Sequence, residues 1–318
     1  MTTKDIALGL FFLFQTGLGV LGNSFLLGLY TITFFTGPRL RPINLLLMHL
    51  AFVNDLVLLF KGIIHTMSTF GLTDFLDDVG CKVIFYFHKV ARDLSLCTTC
   101  LLSSFQAITL SPRNSWWAKL KAISPKCIVS LFLLCWAFNL LKNIMILAII
   151  KGPLGNKNIT DGQDYIYCAA PFPPPFNIAI YLLIVFLPDL LCIGFMLRTS
   201  GHMVFLLHRH HKRVQYIHGN NLTPSVSPET RATQTILLLV ILFVSFYSLN
   251  CILILCIPKG QSSWFVHFST FLAACFPACS SFVLIVSDSH FYKNFLTLWK
   301  RRYSSETTCE IHLTHQNG

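Results

Sequence analysis

Seven long runs of apolar residues, separated by shorter polar stretches, set the pattern of this chain. The runs lie at about residues 6–33, 43–65, 81–108, 127–149, 175–199, 232–257 and 262–286. Each is long enough to cross about 30 Å of hydrocarbon, which takes about 20 helical residues. Because lipid cannot hydrogen-bond exposed backbone groups, the spanning segments must be helices. The pattern predicts an all-α membrane protein, with a seven-helix bundle over residues 1–286 and a tail over residues 287–318.

Composition supports a membrane protein and excludes both a soluble domain and a disordered chain. Hydrophobic residues make up 54% of the sequence and charged residues only 12%, whereas soluble domains carry about 25% charged residues. The net charge of +11 comes from basic residues in short stretches between the apolar runs. We therefore expect these residues to face membrane lipid, and we expect no nucleic-acid partner.

Lysine and arginine predict the orientation of the bundle, because they accumulate on the cytoplasmic side of membrane proteins. With the N-terminus outside, the inner stretches 34–42, 109–126 and 200–231, the tail and Arg198 together hold 15 Lys and Arg, against four in the outer regions. This predicts a multi-pass membrane protein with an extracellular N-terminus and a cytoplasmic C-terminal tail, which starts with a short membrane-surface helix. The sequon at Asn158 then lies in the second outer loop and predicts glycosylation.

Several positions match the general pattern of rhodopsin-like G-protein-coupled receptors. Segment 1 has Gly22-Asn23, segment 2 has Asn54-Asp55, segment 4 has Trp136 and segment 5 has Pro188. Other signatures of that class are absent. The sequence reads Phe-Gln-Ala at 105–107 where (D/E)-R-Y is expected, and segments 6 and 7 contain neither C-W-x-P nor N-P-x-x-Y.

Four further stretches closely resemble the vomeronasal type 1 receptors. They are CKVIFYFHKVARDLSLCTTCLLSSFQAITLSPRNSWWAKLK (81–121), LLHRHHKRVQYI (206–217), SPETRATQTILLLV (227–240) and CFPACSSFVLI (275–285). The resemblance implies a chemosensory receptor in the plasma membrane of sensory neurons, with small-molecule pheromone or odorant ligands and G-protein partners of the Gi/Go type. It also implies a disulfide between Cys81 and Cys168. One departure is Ser281, where the family usually has proline, and this substitution is expected to straighten the inner part of helix 7.

Segment 3 carries a cluster of ionisable residues in its outer half, His88, Lys89, Arg92 and Asp93. At about 1.5 Å per residue, Lys89 and Asp93 lie near mid-membrane, where a charge must face the bundle interior. One interpretation is structural: a closed Lys89–Asp93 ion pair, with Arg92 bonded to carbonyls or to Asp189. The other is a cationic patch in a ligand cavity, suited to a carboxylate, sulfate or carbonyl on a mostly apolar ligand.

Two further residues complete the candidate ligand site. Phe85 is expected to contact the apolar body of the ligand. Lys142, in segment 4, either points into the same cavity or extends to the outer interface, and both orientations remain open. The predicted ligand-binding residues are Phe85, His88, Lys89, Arg92, Asp93 and Lys142.

A second set of polar residues is predicted to form a conformational switch network. Asn23 and Asp55 resemble the polar pair of rhodopsin-like receptors, in which the aspartate lies in a hydrated network that changes on activation. A purely structural hydrogen bond between them is the alternative. Asp189 follows Pro188, where helix 5 should lose a backbone hydrogen bond, and is expected to be a buried partner in a polar network.

Five residues are predicted to face a G protein at the inner surface: Gln106, Arg113, Lys119, Arg213 and Arg231. Gln106 stands where rhodopsin-like receptors have arginine, so the usual ionic lock between helices 3 and 6 cannot form.

No sequence motif points to catalysis, to a metal or to a cofactor. The histidines at 208, 210 and 211 lie beside basic residues whose charge repels cations. Three alternatives to the signalling receptor remain: a receptor of the bitter-taste type, a non-signalling accessory receptor, and a channel or transporter that uses the intramembrane charges.

Overall fold

Each of the seven apolar runs forms a helical span in the computed structural model. The structure describes residues 3–36, 42–72, 76–111, 125–152, 162–165, 168–171, 175–218, 228–256 and 263–287. Within these ranges, seven helical stretches are long and apolar enough to cross a membrane. The all-α, seven-helix fold expected from the sequence is thus confirmed. The predicted surface helix of the tail lies outside the described residues.

The helices are numbered 1 to 7 along the chain. Helix 1 is Thr3–Thr36, and helix 2 comprises Pro42–Val57, a π-helical segment Leu58–Ile63, and Ile64–Thr69. Helix 3 is Asp78–Leu110, and helix 4 comprises Pro125–Lys142 and the short turn Ile146–Ile149. Helices 5, 6 and 7 are Pro175–His218, Pro228–Cys256 and Ser263–Ser287.

Local sequence explains where helix 3 begins and ends. At its start, the carboxylate of Asp77 accepts a hydrogen bond from the backbone N–H of Gly80 at 2.7 Å, which satisfies one of the free donors of the first turn. At its end, Ser111 has an extended backbone, as expected for a residue that precedes proline. Helix 5 continues to His218, well past residue 199, where the predicted apolar run ends. The polar residues beyond that run keep a helical backbone.

A two-stranded hairpin between helices 4 and 5 is the one β element of the described residues. Gly162–Tyr165 pairs with Cys168–Pro171 in antiparallel register, with Tyr165 opposite Cys168. Cys168 is joined to Cys81, in the first turn of helix 3, across a Cα–Cα distance of 6.0 Å. The disulfide implied by the family resemblance is therefore present, and it ties the hairpin to one end of the bundle, called here the disulfide end.

Helix 3 forms the centre of the bundle and packs against helices 2, 4, 5 and 6. Its buried side chains include Leu94 and Leu102, which belong to one core shared with Leu50, Met196 and Leu239. The outward faces of the peripheral helices carry exposed leucine and phenylalanine. This inversion of the soluble pattern is expected where the surrounding solvent is lipid.

A chain of hydrogen bonds fixes helices 2, 3 and 4 to one another. The indole Nε1–H of Trp136 donates to His49 Nε2 at 3.0 Å, and His49 Nδ1 lies 2.9 Å from Thr98 Oγ1. The Thr98 hydroxyl already donates to the carbonyl of Leu94, so Nδ1 of His49 carries the hydrogen and donates to Thr98. The ring of Phe132 stacks on His49 at 4.1 Å between centroids.

Glycine allows helices 1 and 7 to approach closely. A Cβ atom added at Gly22 would lie 2.5 Å from Ser281 Oγ and 3.1 Å from Ser281 Cβ. Next to it, Asn23 Nδ2 donates to the carbonyls of Gly19 and Pro277, each at 2.8 Å. Small residues that let backbones come together are a common basis for helix packing in membranes.

We predict that Gly22→Ala destabilises the protein, because the added methyl group overlaps Ser281. Overpacking of this kind costs about 1–3 kcal/mol and should lower the temperature of thermal unfolding of the purified protein in detergent. Gly28→Ala is the matched control in the same helix, because a Cβ there meets nothing within 4 Å. Equal effects of the two substitutions would contradict the proposed close contact.

Candidate functional site

Four charged side chains from helices 3, 4 and 5 meet in the interior of the bundle. Lys89 Nζ lies 2.9 Å from Asp93 Oδ1 and 3.8 Å from Asp189 Oδ2. Lys142 Nζ lies 2.9 Å from Asp93 Oδ2 and 2.8 Å from Asp189 Oδ1. Each lysine thus contacts both aspartates, and the formal charges of these four residues, called here the ion cluster, sum to zero.

Two neutral groups complete the hydrogen bonding of the ion cluster. Asn143 Nδ2 donates to Asp93 Oδ2 at 2.9 Å, and the hydroxyl of Tyr247, in helix 6, donates to Asp189 Oδ2 at 2.6 Å. Asp93 and Asp189 are only 1% and 2% exposed. Buried charges are stable only when they are paired and hydrogen-bonded, and both carboxylates meet this condition.

Arg92 lies beside the ion cluster but outside it. Its guanidinium carbon is 4.6 Å from the centre of the Tyr247 ring, a cation–π contact. Among the residues that the structure describes, no carboxylate lies within 4.0 Å of this guanidinium. Arg92 therefore keeps hydrogen-bond donors for another partner.

Arg92 forms part of the wall of a cavity between helices 2, 3, 6 and 7. Its mostly apolar lining with a few polar groups is typical of small-molecule sites. The full lining is Val57, Arg92, Ser95, Phe243, Phe246, Tyr247, Asn250, Leu272, Ala273, Phe276 and Pro277.

Of the six residues predicted to bind ligand, the structure places Arg92 in this wall. Lys89, Asp93 and Lys142 lie next to it in the ion cluster, so Lys142 points inward but ends on carboxylates. Phe85 packs against the group of buried residues around the Cys81–Cys168 disulfide, away from the cavity lining.

His88, the sixth predicted residue, is on the face of helix 3 that carries Arg92, one turn closer to the disulfide end. Its Nε2 is buried without a hydrogen-bond partner among the described residues. It is therefore a polar group close to the cavity that the protein itself leaves unsatisfied.

The aromatic wall of the cavity was missed by the sequence analysis. Phe243, Phe246 and Tyr247 come from helix 6, and Phe276 comes from helix 7. Helix 6 is apolar on all sides, so its pattern does not show which face points inward. The available signal was the pair Tyr247 and Asn250, two polar side chains three residues apart and therefore on one face.

The predicted switch residues lie in two separate places. Asn23 bonds to helix 7 as described above, and Asp55 Oδ2 accepts a hydrogen bond from Ser24 Oγ at 3.0 Å. Asp189 belongs to the ion cluster. The residues predicted to form one network thus divide between the helix 1–2–7 contact and the helix 3–4–5 contact.

Asn54, a neighbour of Asp55, joins three helices. Its Nδ2 donates to Ser280 Oγ at 2.9 Å, and its Oδ1 accepts from Ser95 Oγ at 2.8 Å. Ser95 is also part of the cavity wall. A direct polar contact therefore runs from the cavity to helices 2 and 7.

At the other end of the bundle, Gln106 contacts helix 6. Its Nε2 donates to Thr233 Oγ1 at 2.9 Å, and Gln106 is only 4% exposed. It is therefore part of a helix–helix contact and does not reach the surface where a partner protein would bind. Arg231 is exposed nearby on helix 6, and Arg213 lies on the long extension of helix 5.

Some predictions concern residues outside the described part of the chain. Arg113, Lys119 and the sequon at Asn158 are among them. Within the described ranges, no group of three or more His, Cys, Asp or Glu is arranged to hold a metal ion.

We predict that Lys142→Met strongly destabilises the protein, because it leaves a net negative charge on two buried carboxylates. Breaking a buried ion pair from one side costs about 3–5 kcal/mol. The double substitution Lys142→Met with Asp189→Asn removes one charge of each sign and should lower the unfolding temperature by less than Lys142→Met alone. Lys82→Met, at the solvent-exposed pair with Asp78, is the control and should have little effect. If the double substitution were as harmful as the two single ones added together, the charge balance would not be what stabilises this site.

Comparisons with known proteins agree with one another. Residues 6–297 match the vomeronasal organ pheromone receptor family. The chain is 45% identical to human vomeronasal type-1 receptor 1, over 91% of this chain and 82% of that protein. It is 43% identical to human vomeronasal type-1 receptor 4, over 95% and 100% of the two chains. Its fold is similar to that of squid rhodopsin, with a TM-score of 0.72, 17% identity, and coverage of 91% of this chain and 83% of that one. These are relatives among receptors, not among enzymes, and the chain is a chemosensory G-protein-coupled receptor of the vomeronasal organ pheromone receptor family.

Proposed function

We propose that this receptor binds a small, mostly apolar ligand in the cavity beside Arg92 and activates a G protein of the Gi/Go type. The observation that carries the proposal is an arginine without a carboxylate partner, among the described residues, in the wall of a mostly apolar cavity. A guanidinium in that setting favours a ligand with a hydrogen-bond acceptor or a negative charge. The aromatic side chains of helices 6 and 7 supply the surface for the apolar body of the ligand.

The ion cluster makes the role of Arg92 specific. Lys89 and Lys142 are neutralised by Asp93 and Asp189, so these lysines are poor partners for an incoming anion. Arg92 contacts the ring face of Tyr247, and a cation–π contact contributes about 0.5–2 kcal/mol. A charged or polar ligand group can add to that contact without breaking any ion pair.

The proposed orientation has the N-terminus outside and the C-terminus in the cytoplasm. The excess of Lys and Arg in the predicted inner loops supports it. The disulfide at the end that carries Cys81 supports it as well, because disulfides persist on the oxidising, extracellular side. The cavity then lies in the outer half of the bundle, and the Gln106–Thr233 contact lies near the G protein.

Activation is a shift between two arrangements of the same bundle. A ligand can favour the active arrangement only by the difference between its affinities for the two states. Tyr247 connects the cavity to the packing of the helices, because its ring contacts Arg92 while its hydroxyl donates a hydrogen bond to Asp189. A ligand can therefore have different affinities for arrangements in which Tyr247 is placed differently. A ligand group that binds Arg92 beside Tyr247 changes the surroundings of helix 6, which also carries Thr233 at its other end.

The intramembrane charges favour a receptor over a channel or transporter. In the described residues, the ion cluster is closed and neutral, whereas a permeation pathway needs sites that release their ion. The accessory-receptor alternative rests on Ser281, whose hydroxyl donates to the carbonyl of Ala278 at 2.9 Å where the family usually has proline.

We predict that Arg92→Met reduces the potency of anionic ligands by about 10- to 100-fold, because a hydrogen bond to a charged group contributes about 1.5–3 kcal/mol. The measurement is nucleotide exchange on purified Gi/Go added to membranes that contain the receptor, with pooled steroid and volatile ligands. Neutral ligands should lose much less. Equal losses for anionic and neutral ligands would refute charge recognition by Arg92. A receptor that reaches the cell surface but never stimulates exchange would favour the accessory role.

We predict that Thr233→Val raises the exchange measured without ligand. The substitution keeps the shape of the side chain but removes the acceptor for Gln106, which weakens a contact between helices 3 and 6. One neutral hydrogen bond contributes about 0.5–1.5 kcal/mol, so basal exchange should rise about 2- to 10-fold. Thr235→Val is the control, because the hydroxyl of Thr235 bonds within its own helix to the carbonyl of Arg231. Unchanged basal exchange in Thr233→Val would show that this contact does not restrain activation.

A further inference from the structure

Lys61 lies close to the cavity, in the π-helical segment Leu58–Ile63 of helix 2. It is about one turn closer to the disulfide end than Val57, which forms part of the cavity wall. Phe60 stacks on Phe87 of helix 3, with 5.7 Å between the ring centroids, and this contact holds the segment beside helix 3. π-helical turns inside longer helices occur frequently at functional sites.

Lys61 and Arg92 differ from Lys82, Lys89 and Lys142, three other basic residues of this half of the bundle. Lys82, Lys89 and Lys142 each have a carboxylate within 4.0 Å. For Lys61 and Arg92, the described residues provide none. The protein thus places two basic side chains without a counter-ion from this part of the chain at one side of the cavity.

These two cations and His88 are near one another. Phe60 and Phe87, whose rings stack at 5.7 Å between centroids, directly precede Lys61 and His88 in the chain, so Lys61 and His88 lie at the same level of the bundle. His88 is one turn from Arg92 on the same face of helix 3, and its Nε2 lacks a hydrogen-bond partner among the described residues. Three basic groups from two helices therefore converge where the cavity approaches the disulfide end.

Such an arrangement is unfavourable without a ligand. Two like charges in a partly buried site repel each other more strongly than in water, because the local dielectric constant is lower. A neutral ligand group could accept a hydrogen bond but would leave the repulsion in place. An anion held between Lys61 and Arg92 would offset the repulsion and accept hydrogen bonds from both.

We infer that Lys61, His88 and Arg92 form one anion-binding subsite, with Lys61 as the second cationic contact. The ligand class is an organic anion whose charged group bridges Lys61 and Arg92. Its apolar body lies against Phe243, Phe246 and Phe276. The inference rests on the proposed function and deepens it, because it uses the same cavity, but it concerns binding and does not require signalling.

Three probes with one apolar body test the subsite on the purified full-length receptor in lipid nanodiscs. They are 2-acetylnaphthalene, which is neutral, 2-naphthoate, which carries one charge, and 2-naphthyl phosphate, which carries up to two. We expect the wild type to bind the phosphate tightest and the ketone weakest. Lys61→Met should weaken binding of the phosphate about tenfold or more, with little effect on the ketone.

Two matched variants separate charge from packing. Lys61→Arg keeps the charge and should preserve the preference for the phosphate, while Lys82→Met removes a lysine that is already paired with Asp78 and should change nothing. A Lys61→Met receptor that still prefers the phosphate as strongly as the wild type would overturn the inference.

A measurement without organic ligand covers the case in which the naphthalene body fits poorly. Inorganic phosphate should raise the unfolding temperature of the wild type more than chloride at equal ionic strength, and Lys61→Met should abolish this difference. Lys61→Met should also raise the unfolding temperature in the absence of phosphate, because it removes the repulsion with Arg92. Equal stabilisation by phosphate and chloride, or a less stable Lys61→Met receptor, would overturn the subsite.

The outcomes also separate this inference from the proposed function. Lys61-dependent binding of naphthyl phosphate without any ligand-stimulated exchange on Gi/Go would refute the signalling proposal and leave the subsite standing. Ligand-stimulated exchange that is indifferent to Lys61→Met, for anionic and neutral ligands alike, would refute the subsite and leave the receptor function standing.

Discussion

The balance of charge among Lys89, Asp93, Lys142 and Asp189 is the constraint on which the rest of the bundle depends. Charges inside a membrane must be paired or directed into a polar cavity, and these four are paired across helices 3, 4 and 5. Each carboxylate has several donors, so no member can move without exposing a charge to a medium that cannot solvate it. Tyr247 extends the constraint to helix 6, and the relative positions of four helices are fixed by one set of contacts.

The chemical character of the cavity depends on Arg92, the charged residue of its wall that is not part of the ion cluster. With both neighbouring lysines neutralised, Arg92 offers donors to a space that is otherwise mostly aromatic and aliphatic. Ser95, in the same wall, bonds to Asn54, which bonds in turn to Ser280 of helix 7. The cavity thus adjoins two sets of polar contacts. One is the ion cluster at its side, and the other is the set of hydrogen bonds that Asn54 makes between helices 2, 3 and 7. A ligand bound in the cavity, as proposed, could be coupled to a rearrangement through either, because neither is separated from the cavity by more than one side chain.

The spans themselves could be predicted from the sequence, because lipid forces long apolar runs into helices whatever their neighbours are. The Lys89–Asp93 pair could also be anticipated, since residues four apart share a helical face. The partners of Lys142 could not, because the rotation of helix 4 about its axis depends on packing that no local pattern records. Phe243 and Phe246 were missed for a related reason: a helix that is apolar all round does not mark its inner face. The π-helical segment of helix 2 could not be predicted either, because it contains no proline to mark it. The position of Lys61 beside the cavity depends on that segment and is visible only in the three-dimensional structure.

The ion cluster also has a consequence for the way the chain enters the membrane during synthesis. Each lysine or aspartate at the centre of a helix costs about 2.5–3.5 kcal/mol on insertion scales. Helix 3 carries Lys89 and Asp93 four residues apart and 2.9 Å from each other, so Lys89 enters the membrane with its own counter-ion, although Arg92 of the same helix does not. Helix 4 carries Lys142 and helix 5 carries Asp189, and their side chains meet at 2.8 Å only across the two helices. Insertion of these two helices is therefore most favourable as a hairpin, in which lysine and aspartate leave water together.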